Sequence, residues 1–286
     1  MQRFYNINGV QVAAESASLK VNDLGIIRGF GIFDYFLVWD YIPLFLEDYL
    51  DRFYHSAKKL HVEVPTPRAD FRAQILELIE VNQKSHAGIR LVMTGGYSPD
   101  GYTPVSPNLI IMHHDYKPFA SEAYSQGIKL MTQEFQRDLP EVKTTNYANG
   151  IRLLPKLAAV GATEPLYHSG GYVKEAVRSN FYIVKDNNTV VTAEADILLG
   201  ITRKHVLTVA EKRFKVEVRP LALDEIWAAK EAFITGSNKG VMPVTRIDGH
   251  QFGDGLPGEI THRIMHDFND YRGHYVEEQK AILSEI

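Results

Sequence analysis

The chain has 286 residues, no cysteine, and a formal net charge of −4 from 31 Lys and Arg against 35 Asp and Glu. Without cysteine there can be no disulfide, thiolate metal site or thiol catalysis, and the mild acidity gives no general electrostatic reason to bind nucleic acid or an anionic membrane. With 45% hydrophobic residues the chain can bury a full core, in one large domain or two smaller ones. No apolar run approaches the roughly 20 residues that span a bilayer, and Met1–Ile7 lacks the apolar core of a signal peptide. The expectation is a soluble, cytoplasmic, globular protein.

In chain order, residues 1–45 read as short strands, with Asn8-Gly9 as a hairpin turn between Phe4–Ile7 and Val10–Ala14. Ile32–Trp39 is aromatic and β-branched, a buried strand. A helix starts near Glu47, with Leu50, Phe53, Tyr54, Ala57 and Leu60 on one face, and Pro65 and Pro67 end it. Asp70–Asn82 is a second amphipathic helix. Ile89–Thr94 and Asn108–His113 are strands around a Gly/Pro-rich loop. The polar stretch 118–127 shows no clear period and reads as a linker between an N-terminal α/β domain, 1–117, and a C-terminal α/β domain, 128–286. In the second part, Ile128–Phe135 is a strand and Tyr147–Gly161 a helix. Pro165–His168 and Val173–Val184 are strands, followed by Val190–Thr192, a helix from Ile201 to Phe214 and strand Val216–Pro220. A short helix at Leu223–Ala229, strands Glu231–Thr235 and Met242–Ile247, and a helical tail from Ile260 complete the chain. Strands and helices mix without strict βαβ alternation, which argues against a single doubly wound sheet.

Four stretches carry chemistry. Lys143 lies in Glu141-Val142-Lys143-Thr144-Thr145-Asn146-Tyr147, just after Pro140. It reads either as a solvated surface charge or as a desolvated amine able to attack a carbonyl. Leu199-Gly200-Ile201-Thr202-Arg203-Lys204-His205 opens a helix whose first turn has no acid and three basic residues. Helix N-termini carry partial positive charge and open N–H donors, so an external anion would suit this one, with Thr202 adding a hydroxyl; the alternative is that Thr202 caps its own helix. Thr235-Gly236-Ser237-Asn238-Lys239-Gly240 is a second small, hydroxylated, basic turn, suited to a phosphate or carboxylate or simply polar. Glu175, inside a strand pattern, is solvent-facing, paired with Lys174 or Arg178, or able to hold a proton on a heterocyclic nitrogen. No P-loop, dinucleotide fingerprint or nucleophile-elbow spacing is present. His262 and His266 stand one helical turn apart, but Arg263 occupies the position of the glutamate in a zinc HExxH motif, and no metal is expected.

In this order and spacing, the motifs resemble the fold-type IV pyridoxal-phosphate enzymes, the class-IV aminotransferases. The resemblance runs from Asp23–Asp34 through Leu50–Ala57, Lys143–Tyr147, Glu175–Phe181 and Leu199–Arg203 to Phe233–Val244. It implies a fold of two α/β domains joined by a short linker, with pyridoxal 5'-phosphate held on Lys143 as an internal Schiff base. It also implies Glu175 against the pyridine nitrogen, Tyr147 on the phenolate oxygen and Asn180 beneath the ring. Arg52, the amides of Ile201 and Thr202, the Thr202 hydroxyl and Ser237 would hold the phosphate.

The resemblance extends to substrates. Branched-chain members bind the substrate carboxylate largely through amides of the turn after the phosphate-binding hydroxyl, which here reads Asn238-Lys239 and is bulkier. D-amino acid members bind it with basic residues of the N-terminal domain, for which Arg28 and Arg90 are the candidates. Phe33 replaces a common tyrosine, and Thr94-Gly95-Gly96-Tyr97 replaces the familiar Arg-x-His, so the chain is most similar to an atypical D-amino acid branch with an arginine pair. The implied reaction is ping-pong transfer of an amino group from a D-amino acid to a 2-oxo acid such as 2-oxoglutarate. Lys239, Arg178 or His55 would meet a distal carboxylate. A branched-chain L-aminotransferase and an aminodeoxychorismate lyase are the alternatives within the fold, and a phosphometabolite-binding protein is the alternative outside it. Relatives are homodimers that share N-domain loops, which would place Arg28 across an interface.

Overall fold

The computed structural model describes residues 2–284 and divides the chain into two units. The first comprises Met1–Lys117, Val142–Tyr147 and Tyr275–Ile286. Its strands are β1 (Phe4–Ile7), β2 (Val10–Ala13), β3 (Gly31–Trp39), β4 (Ile42–Pro43), β5 (His86–Thr94) and β6 (Asn108–Asp115), and its helices α1 (Leu24–Ile27), α2 (Leu46–Lys59) and α3 (Arg68–Asn82). The strands form one sheet in the order β2-β1-β6-β5-β3-β4, antiparallel at every pairing.

Two sequence periods build this unit. On β3 the even positions Ile32, Asp34, Phe36 and Val38 are fully buried, while Phe33 and Tyr35 are only partly covered, as the two-residue alternation of a strand requires. On α2 the buried stripe is Leu46, Tyr49, Leu50, Phe53 and Ala57, a 3.6-residue period. Glu47 and Asp48 in its first turn and Lys58 and Lys59 in its last complement the helix dipole. The oddity of the set is Asp34, a carboxylate at a core position of β3.

The stretch carrying Lys143 belongs to this first unit, although the sequence placed it within a domain 128–286. Thr144 is β-branched and extended, and it bridges to Ile32. The Phe33 N–H donates to the Lys143 carbonyl at 2.9 Å and the Thr145 N–H to the Gly31 carbonyl at 3.0 Å. The backbone around Lys143 is thus held as a short strand against β3.

The second unit comprises Pro118–Glu141 and Ala148–His274. Its strands are β7 (Ile128–Glu134), β8 (Glu164–Ser169), β9 (Tyr172–Ala176), β10 (Ser179–Val184), β11 (Val190–Thr192), β12 (Val216–Val218), β13 (Leu221–Ala222), β14 (Glu231–Gly236), β15 (Gly240–Ile247) and β16 (His250–Gln251). The path β12-β11-β10-β14-β15-β7-β8-β9-β13 is supplemented by a β9–β10 pairing. That pairing closes a six-strand ring of β10, β14, β15, β7, β8 and β9. Closure removes the open edges of those strands. The interior holds Leu130, Leu166, Phe181, Ile183, Ile234, Met242 and Val244.

Four expected elements differ. The strand expected at Val173–Val184 is a hairpin, β9 and β10, turning at 177–178. The helix expected at Tyr147–Gly161 is two helices, α5 (Ala148–Arg152) and α6 (Leu154–Val160). Pro155 has no N–H to continue the ladder and fits only a first turn. The stretch 118–127 contains α4 (Glu122–Ser125), and its Phe119, Ala123 and Tyr124 pack against the core of the second unit. Helix α7 (Ile201–Ala210) ends four residues before Phe214. The long α8 (Glu259–Ser284) is the helical tail, and no helix among the described residues is long and apolar enough to cross a membrane.

Candidate active site

In the first unit the Lys143 ammonium lies 4.7 Å from the centroid of the Phe33 ring. The Arg90 guanidinium approaches the same ring at 5.5 Å and the Tyr35 ring at 5.6 Å. Tyr147 meets Phe33 edge-on, with centroids 5.5 Å apart. This follows from register, because Arg90 on β5 stands opposite Tyr35 on β3. Lys143, Tyr147 and Arg90 are therefore gathered around one aromatic ring. Arg28 is not among these contacts. It is exposed at the end of α1, and its guanidinium donates to the Ile27 carbonyl at 2.9 Å.

Arg52, on α2, meets the buried Asp34. Its Nε donates to Oδ2 at 2.9 Å and its Nη2 to Oδ1 at 2.6 Å, a two-pronged pair. Burial opposes the guanidinium charge, but the Asp34 carboxylate outweighs it and holds the group above its ordinary value. Tyr49, 5.3 Å away, adds its ring face. The pair thereby fixes the guanidinium plane as well as its charge.

In the second unit Glu175 and Asn180 face each other across the β9–β10 hairpin. Glu175 Oε1 accepts from Arg137 Nε at 2.8 Å and from Nη2 at 2.6 Å, and Oε2 accepts from the Leu198 backbone N–H at 2.9 Å. Every one of these contacts favours the carboxylate form. The Arg137 side chain is braced in turn by the Pro140 carbonyl. Asn180 donates to the Leu198 carbonyl at 2.7 Å. A Cβ on Gly200 would come within 2.2 Å of the Asn180 Oδ1, so a larger residue there would have to displace that amide.

Gly200 is also the N-cap of α7, which leaves that helix with no side-chain cap. Thr202 is its second residue and does not cap its own helix, which removes that alternative. The first-turn bases do not explain the site either. Arg203 is buried and donates to the Ala193 carbonyl at 3.0 Å, and His205 meets the Tyr271 hydroxyl at 3.1 Å. The useful feature is the combination of a glycine cap, a buried Thr202 and no acid in the first turn. Ser237 and Asn238 sit in the turn between β14 and β15, and the Asn238 Oδ1 is buried without a hydrogen-bond partner. Of the residues offered for a distal carboxylate, Lys239 is buried and ion-paired with Glu164, Arg178 is exposed and lies 3.5 Å from the same carboxylate, and His55 is exposed.

Residues 31–247 match the family Amino-transferase class IV. The chain belongs to the class IV aminotransferases. It is 32% identical to a provisionally named branched-chain-amino-acid aminotransferase of Methanocaldococcus jannaschii, over 93% of this chain and 95% of that one. It is 27% identical to a D-alanine aminotransferase of Bacillus licheniformis, over 90% and 93% respectively. The crystal structure of a T.th. branched-chain amino acid aminotransferase with pyridoxamine 5'-phosphate matches with a TM-score of 0.88 at 25% identity, covering 95% of this chain and 94% of that one. This aminotransferase thus has the fold-type IV architecture and is an enzyme of amino and 2-oxo acids that uses pyridoxal phosphate.

The residues present fit that cofactor. A glycine-capped helix start with a buried hydroxyl suits a phosphate, and a carboxylate paired with an arginine suits a protonated pyridine. Sequence reasoning missed three acidic or basic groups of the aminotransferase, Asp34, Arg137 and Glu164. Each is paired with a residue at least 18 positions away, so no local spacing could have shown it. The one visible signal was a charged residue inside an apolar strand pattern, as at Asp34.

Proposed function

We propose that this chain moves an amino group from a D-amino acid to a 2-oxo acid such as 2-oxoglutarate, with Lys143 as the catalytic amine. The observation that carries the reading is the Phe33 ring shared by the Lys143 ammonium and the Arg90 guanidinium. An arginine at the same ring as the catalytic amine offers a fork for a substrate α-carboxylate. A carboxylate held there, on the N-terminal strands, turns the Cα–H of a D-substrate towards Lys143.

When bound, pyridoxal phosphate supplies an electron sink for the pair left at Cα. Lys143 would move the proton between the substrate Cα and C4′. Glu175, paired with Arg137, would hold the proton on the pyridine nitrogen. Arg52, the amides of Ile201 and Thr202, the Thr202 hydroxyl and Ser237 would hold the phosphate. Tyr147 would hydrogen-bond the phenolate oxygen, and Asn180 would contact the ring. Arg28 serves the same carboxylate from the partner of a homodimer in the cytoplasm. This is supported by the exposed Ile26 and Tyr102 near it, at 59% and 81% accessibility, which a second subunit would cover. Size-exclusion chromatography with light scattering is expected to give a dimer; a fully active monomer would remove that part.

One observation favours a branched-chain L-amino acid reading instead. Lys239, whose bulk would obstruct a carboxylate at the turn after Ser237, is withdrawn into the core. Assays of D-alanine and D-glutamate against L-leucine, with 2-oxoglutarate as acceptor, separate the two. Turnover of the D-substrates is expected; strong L-leucine turnover with no D-activity overturns the assignment.

A further inference from the structure

The Lys239 side chain, offered by sequence as a substrate ligand, has another occupation. Its ammonium lies 2.6 Å from Glu164 Oε1, with the two side chains 5% and 1% exposed. It also donates to the Ser179 hydroxyl at 3.1 Å and lies 5.5 Å from the Phe119 ring centroid. The other oxygen of Glu164 accepts from the Arg178 backbone N–H at 3.2 Å and the Ser179 hydroxyl at 3.4 Å. One buried carboxylate therefore ties two loops together. The first is the hairpin turn 177–178, between the strand bearing Glu175 and the strand bearing Asn180. The second is the turn between β14 and β15, which bears Ser237 and Asn238.

Three further contacts tighten the second loop. The Tyr124 hydroxyl donates to the Lys239 carbonyl at 2.9 Å. The Lys239 N–H donates to the Gly236 carbonyl at 3.0 Å. A Cβ on Gly236 would lie 3.1 Å from the Arg178 carbonyl, so the two turns are in near-contact there. A turn that served only to reverse the chain would leave its lysine in water, since lysine is almost never fully buried without a partner. Apolar side chains of similar volume often match or exceed the stability of a buried ion pair. What the pair adds is direction: an ammonium and a carboxylate with defined partners admit fewer arrangements than packed methyl groups.

We infer that Glu164 and Lys239 are a positioning pair that locks the Ser237–Asn238 turn to the Glu175–Asn180 hairpin, so that substrate and cofactor meet both loops in one fixed register. The inference rests on the proposed function for what the loops hold, and on the geometry alone for the lock. Withdrawal of Lys239 by Glu164 also clears the turn of its longest side chain, leaving Ser237 and Asn238. Glu164 thus bears on which carboxylate the turn accepts.

The test compares unsubstituted enzyme, Lys239→Met, and the double variant Glu164→Leu with Lys239→Met. Each is followed by thermal unfolding, amide hydrogen exchange without added cofactor, pyridoxal phosphate titration and steady-state kinetics of the loaded enzyme. Lys239→Met is expected to raise exchange tenfold or more at both 177–179 and 236–240. It should weaken pyridoxal phosphate about tenfold and raise KM for the amino donor about tenfold, with kcat changed less than threefold. The double variant should regain the lost Tm while keeping the raised exchange and KM. Recovery of KM along with Tm would reduce the pair to ordinary packing and overturn the inference, as would exchange that rises at 236–240 alone. If the unsubstituted protein binds no pyridoxal phosphate, the proposed function fails, and the exchange comparison still decides on the lock.

Discussion

Lys143 and Lys239 bring the same ammonium into opposite surroundings. Lys143 is half-buried in the first unit, on a short strand held by β3, with an aromatic ring beside it and the Arg90 cation at the same ring. Lys239 is buried in the second unit, clasped by a carboxylate, a hydroxyl and a ring. The first position suits an amine that must reach a reacting carbon; the second, against a buried carboxylate, holds its ammonium still. Sequence alone describes both as a lysine beside small or β-branched residues, so their difference lies in tertiary partners.

The largest test of this contrast is at Lys143. Lys143→Ala is expected to lower kcat by at least ~10²–10⁴-fold from loss of proton transfer alone, and to abolish the near-visible absorbance of covalently held pyridoxal phosphate. Its Tm should move by no more than roughly 2–4 °C, equivalent to about 1 kcal/mol in a chain of this size. Lys239→Met should show the reverse weighting, with stability and KM affected more than kcat. Retained turnover in Lys143→Ala would remove the catalytic assignment, and equal kcat losses in the two variants would erase the comparison.

A smaller effect is expected at Arg137, which holds Glu175 as the carboxylate. Hydrogen bonds to charged groups contribute about 1.5–3 kcal/mol, which corresponds to a fall of roughly 10–100-fold in rate if the loss is carried fully to the reacting state. Arg137→Met should therefore lower kcat within that range, and less than Glu175→Gln does. A kcat equal to that of the unsubstituted enzyme would mean that Glu175 does not depend on its arginine.

The arrangement of these partners also shows what the sequence could disclose. Periodicity in α2 and β3, the Asn8-Gly9 turn and the apolar core strands were readable, because each depends on near neighbours. The β9–β10 turn was not, because Val177-Arg178-Ser179 has no glycine, proline or asparagine to mark it; the hairpin is held instead by Glu164, which binds the Arg178 N–H and Ser179 hydroxyl from β8. At the candidate site, the sequence singled out Lys143, Glu175 and Thr202 through an ordered set of motifs. The ion-pair partners Asp34 of Arg52, Arg137 of Glu175 and Glu164 of Lys239 were not legible, since a long-range ion pair leaves no spacing in the chain. The basic first turn of α7 was a real signal with a different cause, because Arg203 and His205 have partners of their own.

The two units differ as well in how acid should reach them, and this is the smallest expected effect. His113, on β6 in the first unit, is 1% exposed, and neither ring nitrogen has a hydrogen-bond partner. Burial, aided by the Arg3 cation, pushes its pKa down to about 4. A histidine whose folded pKa is depressed stabilises the fold fully above its unfolded value near 6.5, and that stability is lost as pH falls towards 4. The change amounts to at most about 3 kcal/mol. Glu164 in the second unit is lowered from 4.5, because the Lys239 and Arg178 cations outweigh its burial. Its contribution is complete above 4.5 and is lost only below, as pH falls through the depressed folded value. Urea unfolding between pH 7 and 5 should therefore lose stability through the first unit, where burial also depresses His114, and His113→Leu should reduce that slope without abolishing it while leaving the fall below pH 4.5 intact. If Lys239→Met instead abolished the loss between pH 7 and 5, the buried ion pair rather than the histidine would govern the response to mild acid, and the assignment of the two pH windows would be reversed.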